Sequence, residues 1–286
     1  MAHKKSGTDI EICIHFYIFA IPIKQVENVE NNRPLILVTN DDGIEAKGIN
    51  SLIDMVSPYG DVVVVAPFYV HSGKSHAITV EIPIRYKLLR EWDHVKVYGC
   101  TGTPVDSVKL AFSAILPRKP DLIVSGINHG SNASVSVVYS GTMGAVIEGC
   151  INGISSVGFS LLDFDPDADF AAAVHYGQKI IAHVMKEGLP ESTCLNVNIP
   201  PVPMEQIKGL RVCRQARGVW KEEFERRLDP RKGEYFWLKG YFVNHENGAT
   251  DTDEWALENN YVSVVPIQVD LTNYQAMESL KRIQHE

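Results

Sequence analysis

The stretch Leu35-Ile36-Leu37-Val38-Thr39-Asn40-Asp41-Asp42-Gly43 constrains the fold of this chain more than any other. Its four consecutive apolar residues are too few for a buried helix and spell a fully buried strand. The run stops abruptly at an amide, two carboxylates and a glycine. Adjacent Asp side chains at the end of a core strand repel each other and lose water, so something must compensate. Hard oxygen donors of this kind suit a divalent cation such as magnesium, manganese or calcium. The plainer alternative is an Asx-Gly turn.

The rest of the chain supplies the sheet that such a strand needs. A helix over Ile49 to Val56 leads into a second buried strand, Asp61 to Pro67. Strand, helix, strand predicts a parallel sheet whose strand ends carry the site. The next loop, Phe68 to His76, contains Gly73-Lys74-Ser75, but a phosphate P-loop needs glycine where Phe68 stands. Its histidines, His71 and His76, have no matching ligand partners in the sequence. Thr79 to Leu89 and Val95 to Tyr98 read as an antiparallel excursion. Thr103 can cap a helix that starts at Pro104, with Val105, Val108, Leu110, Ala111 and Phe112 on its apolar face. Asp121 to Asn132 repeats the opening logic: a buried strand ends in small residues and in Asn128, a neutral oxygen donor. Ser140 then caps another helix, and Gly141, Thr142 and Gly144 let a ligand approach its free N–H groups. Val138 stands where a hydrolase nucleophile elbow needs glycine.

Ile154 to Leu162 is a further strand, Phe170 to Lys186 a helix, and Cys194 to Pro200 a strand that closes the α/β core. Beyond it the chain changes character. Leu210 to Ala216 and Tyr235 to Val243 look extended, separated by the charged tract Trp220 to Gly233. An aromatic-rich β excursion of this kind serves as a lid or an oligomer contact. A short helix at Thr252 to Asn259, a strand at Tyr261 to Ile267 and a helix at Thr272 to Ile283 complete the chain.

A net charge of -8 without a basic tract argues against nucleic acid or an anionic membrane as partner. Cys13, Cys100, Cys150, Cys194 and Cys213 form no CxxC pair, which excludes a zinc ribbon and points to a reducing, cytoplasmic setting. Residues 1–33 fit poorly with the strand-helix pattern that begins at Leu35. Their apolar run Ile12 to Ile23 is too short to span a bilayer. Asp9 and Glu11 also spoil a signal-peptide reading. They are expected to be an extension outside the chemistry, peripheral or disordered.

Together, Ile36 to Gly43, Val65-Ala66-Pro67, Ser72 to Ser75, Thr101 to Asp106, Ser125 to Gly130 and Tyr139 to Thr142 resemble the SurE family, the survival-protein nucleotidases, from Leu35 to the last helix. The resemblance implies a Rossmann-like α/β domain over residues 34–286, with a core to about residue 205 and a C-terminal excursion that builds homodimers or homotetramers. It implies a phosphoric monoester hydrolase, a 5'-nucleotidase acting on nucleoside monophosphates, with 3'-nucleotides and polyphosphate as open further substrates. By position, Asp41, Asp42, Ser72 and Asn128 match the ligands of one divalent metal ion per subunit, Mg2+ or Mn2+, with Asp41 and Asp42 as the catalytic pair. Asn40, Gly43, Ser140, Gly141 and Thr142 are the expected phosphate-binding residues, and either a water or Asp41 is the nucleophile. His76 and His129 are the candidates for protonating the leaving oxygen. Phe68 and His71 depart from the family's usual Asp-like residue and Arg. A receiver domain would need a phosphoacceptor Asp near Ser125, and a dehalogenase-type phosphatase would need Asp where Gly43 stands.

Overall fold

Strand β1 (Leu35–Thr39) is buried at every position and lies inside a nine-stranded sheet. The computed structural model describes residues 33–285; the expectations for residues 1–32 lie outside them. On one side β1 pairs in parallel with β2 (Asp61–Pro67), and on the other with β5 (Leu122–His129). Beyond β2 comes β4 (Val95–Cys100), then the edge strand β3 (Tyr86–Trp92), antiparallel to β4. Beyond β5 the order is β6 (Ser156–Leu161), β7 (Thr193–Ile199), β11 (Val262–Gln268) and β8 (Leu210–Val212), with β11 antiparallel to β7. A sheet covered on both faces explains why β1 and β2 read as unbroken apolar runs rather than alternating ones.

The pleat still sorts those runs between two layers. Ile36 and Val38 pack with Ile49, Leu52 and Ile53 of helix α1 (Lys47–Val56) and with Ile180 and Ile181 of helix α4 (Ala171–Glu187). Leu35 and Leu37 face the opposite way, toward Val108 of helix α2 (Pro104–Leu110) and Ala145 of helix α3 (Gly141–Ile151). Ser57 and Pro58 stop α1, because proline at the next turn lacks the N–H a continuing helix needs. Cys100, Cys150, Cys194 and Cys213 are free and buried.

Three expectations change. Residues 79–85 are irregular, and β3 begins only at Tyr86. The charged tract is itself strand β9 (Gly218–Leu228), which pairs with β10 (Glu234–Asn244) as a separate two-stranded sheet. The charges dilute its apolar face, because Trp220, Phe224 and Leu228 share one side of the strand only at every fourth residue. Finally, β7 does not end the sheet: β11 and β8, from the stretch after residue 205, extend it. Helix α5 (Asp253–Glu258) is capped by Thr252, and α6 (Tyr274–Leu280) lies near the C-terminus.

Candidate active site

Parallel strands end at one edge of the sheet, and that geometry gathers the loops. Asp41 and Asp42 leave β1, Ser72 lies in the loop after β2, and Asn128 and His129 sit at the end of β5. All five line one cavity of about 560 Å3, together with Ser140 at the start of α3. The loops are tied directly: the His71 N–H donates to the Asp41 carbonyl at 2.7 Å. A register shift in β5 between Ser125 and Asn128 turns Asn128 at this edge, the usual effect of a bulge.

Asp41 is 3% exposed. Thr142 Oγ1 donates to its Oδ1 at 2.5 Å. Gly141 packs so closely that a Cβ there would lie 2.8 Å from Asp41 Oδ2, so only glycine fits. Burial, with the neighbouring charge of Asp42 adding to it, pushes the Asp41 carboxyl up to about 6 despite the Thr142 bond. Asp42 is also pushed up by burial, offset in part by the His129 N–H that donates to Oδ2 at 3.2 Å.

Other expected site residues take specific places. Asn40 donates Nδ2 to the Gly43 carbonyl at 2.8 Å and so shapes the loop, while its buried Oδ1 has no partner. Ser140 caps α3, accepting from the Met143 N–H at 3.0 Å. That cap brings the positive end of an eleven-residue helix against Asp41. Thr142, expected at the phosphate, spends its hydroxyl on Asp41. The two partners are 101 positions apart, so nothing in the sequence signals the bond. His76 bonds Glu148 at 3.1 Å and lines a neighbouring apolar cavity instead. His129 lines the site, its Nδ1 facing the Asp163 carbonyl and its ring set edge-on to Phe170.

Among the described residues no three His, Cys, Asp or Glu side chains converge on a metal position. The donor set is two carboxylates, a hydroxyl and an amide. Asn128 uses Nδ2 for both of its bonds, to the His129 and Gly130 carbonyls, which leaves Oδ1 as its free end. Asn40 Oδ1, Thr39 Oγ1 and Ser125 Oγ are buried near the pair without partners. Among the described residues no Lys or Arg salt bridge reaches either Asp. Among the described residues the two carboxylates thus have a hydroxyl and an amide oxygen beside them in the cavity and no basic side chain bonded to them. A hard divalent cation fits that set, and a soft one does not.

The sequence reading missed the other part of the cavity lining. Phe164 follows β6, Trp220 belongs to β9, and Leu238 and Lys239 belong to β10. Of these, Trp220 alone had a sequence signal, as an aromatic residue at the start of the charged tract.

Comparison with known proteins gives the family. A family model described as "Survival protein SurE" matches residues 36–222. A protein of Phocaeicola vulgatus named 5'-nucleotidase SurE is 51% identical over 253 residues, covering 88% of this chain and 98% of that protein. Its namesake in Flavobacterium psychrophilum is 52% identical, covering 87% and 97%. A crystal structure of the SurE protein from Aquifex aeolicus superposes with a TM-score of 0.75 at 39% identity, covering 88% of this chain and all of the other. This chain belongs to the SurE family of survival proteins.

Proposed function

We propose that this chain is a divalent-metal-dependent 5'-nucleotidase that hydrolyses nucleoside 5'-monophosphates to nucleoside and phosphate. The observation that carries the reading is the Asp41-Asp42 pair, Asp41 buried and Asp42 half-buried, lining one cavity with Ser72 and Asn128 and set against the N-terminus of α3. Its curated relatives carry the name of that activity. Asp41, Asp42, Ser72 and Asn128 would hold a magnesium or manganese ion. When bound, such a cation neutralises phosphoryl charge and acidifies a water.

The chain's own residues do the remaining work. Thr142 fixes the Asp41 carboxylate through its hydroxyl, so that the pair stays oriented without reorganisation. Asn40 and Gly43 hold the turn that presents Asp42 to the cavity. The capped start of α3 offers a positive dipole end to the phosphoryl oxygens. 3'-Nucleotides and polyphosphate are the further substrates proposed for the same site. The four cysteines among the described residues are free and buried, which suits a reducing compartment such as the cytoplasm. Among the described residues no helix is long and apolar enough to cross a membrane.

The test is phosphate release from a panel of nucleoside monophosphates with EDTA or with added magnesium or manganese. Activity is expected only with metal, and Asp42→Ala is expected to lower it by on the order of 10²–10³-fold or more. Equal release in EDTA, or an unimpaired Asp42→Ala, overturns the proposal.

A further inference from the structure

We propose that Trp220 and Phe164 form a stacking platform for the nucleobase, one that reads the face of the ring and not its hydrogen-bonding edge. This rests on the nucleotidase reading above. Both aromatic side chains line the cavity that holds Asp41 and Asp42, whose volume of about 560 Å3 lies within the roughly 300–1,000 Å3 range of small-molecule sites. A substrate with its phosphate at the carboxylate pair therefore has its base inside a chamber walled by these rings.

Both rings occupy built positions. The Trp220 indole N–H donates to Ser136 Oγ at 3.0 Å, and Phe242 packs edge-on at 6.3 Å between ring centroids. The Phe164 ring lies over Gly130, where an added Cβ would come within 2.4 Å of it. Any larger residue at position 130 would displace the ring. Yet Phe164 remains 80% exposed and Trp220 37%, so apolar ring surface is left open at the cavity.

The same contacts say what the platform can read. With its one donor spent on Ser136, the Trp220 indole has only its π surface to offer. The Asn132 side chain, also on the cavity wall, donates Nδ2 to Ser160 Oγ, while its backbone N–H goes to Asn198 Oδ1 and its backbone carbonyl accepts from Asn196. Every base has a π face, so stacking recognises purines and pyrimidines without strong discrimination.

The experiment compares kcat/KM for adenosine 5'-monophosphate, cytidine 5'-monophosphate and ribose 5-phosphate, with metal, in the wild type, Trp220→Ala, Phe164→Ala and Trp220→Phe. The ratio of either nucleotide to ribose 5-phosphate is expected to fall about tenfold in Trp220→Ala, mainly through KM, and to recover largely in Trp220→Phe. Phe164→Ala, at an exposed position, decides the matter if Trp220→Ala does not fold. An unmoved ratio, or equal losses on all three substrates, overturns the platform. A loss confined to one base overturns its tolerance. If the wild type hydrolyses no nucleotide, the nucleotidase reading falls and takes the platform with it. If it hydrolyses nucleotides while the ratio stays put, only the platform falls.

Discussion

Asp41 carries an energetic cost that the sequence hinted at and the structure locates. Its carboxyl is pushed up from 3.8 to about 6, chiefly by burial, so the folded protein holds this proton more tightly than the unfolded chain does. The stability linked to that proton is full below pH 3.8 and is lost as pH rises through 6. The loss amounts to about 3 kcal/mol. In EDTA, the urea-unfolding free energy of the wild type is therefore expected to fall between about pH 4 and pH 8 by about 3 kcal/mol more than that of Asp41→Asn. Glu254, pushed up to about 7 by burial beside Asp253 and Glu258, contributes with the same sign in both proteins and cancels in the difference. Parallel pH curves for the two proteins would remove this account of Asp41. That Asp41, Asp42, Ser72 and Asn128 converge was legible because each lies at or just beyond the end of a buried strand, and a parallel sheet must align those ends. The Thr142 bond to Asp41 was not, because only the completed fold brings those two residues together.

At the scale of elements, helix starts were the most readable features. Thr103 accepts from the Asp106 N–H at 3.1 Å, while Asp106 Oδ2 accepts from the Thr103 N–H at 2.9 Å. This reciprocal capping box begins α2. The Thr103 hydroxyl also donates to the Ala77 carbonyl, and Asp106 Oδ1 accepts from the Thr79 N–H, so α2 anchors the far end of the loop that carries Ser72. Thr103→Ala is expected to cost about 1–2 kcal/mol in urea unfolding, with Thr103→Ser recovering most of it. No loss in the alanine variant would leave the box without energetic weight. Strands were harder to read where neither face meets the core. In β9, Trp220, Phe224 and Leu228 share one face, but only at every fourth residue and with Arg226 between two of them, so the segment read as a connecting tract. β8 is only three residues long, and β11 follows the excursion in sequence, so neither betrayed its membership of the central sheet.

The whole molecule leaves one element poorly supported. A two-stranded sheet is marginal in water by itself, yet β9 and β10 expose Phe224, Phe236, Trp237 and Tyr241. Self-association over this hairpin, into a dimer or a tetramer, would cover those rings. Sedimentation is expected to find at least two chains per particle, with Trp237→Glu combined with Tyr241→Glu shifting the population toward single chains. A monomeric wild type would separate the hairpin from assembly. The ends of the large sheet have a different consequence. One edge, β8, is three residues long, and the other, β3, breaks register between Leu88 and Arg90. Short and kinked borders make poor templates for a foreign backbone. The longer hairpin borders carry Glu225, Arg226, Arg227 and Lys239, charges that oppose the same fate. The molecule is thereby guarded against open-ended, amyloid-like growth, and copies of it have side-chain faces through which to meet rather than main-chain ladders.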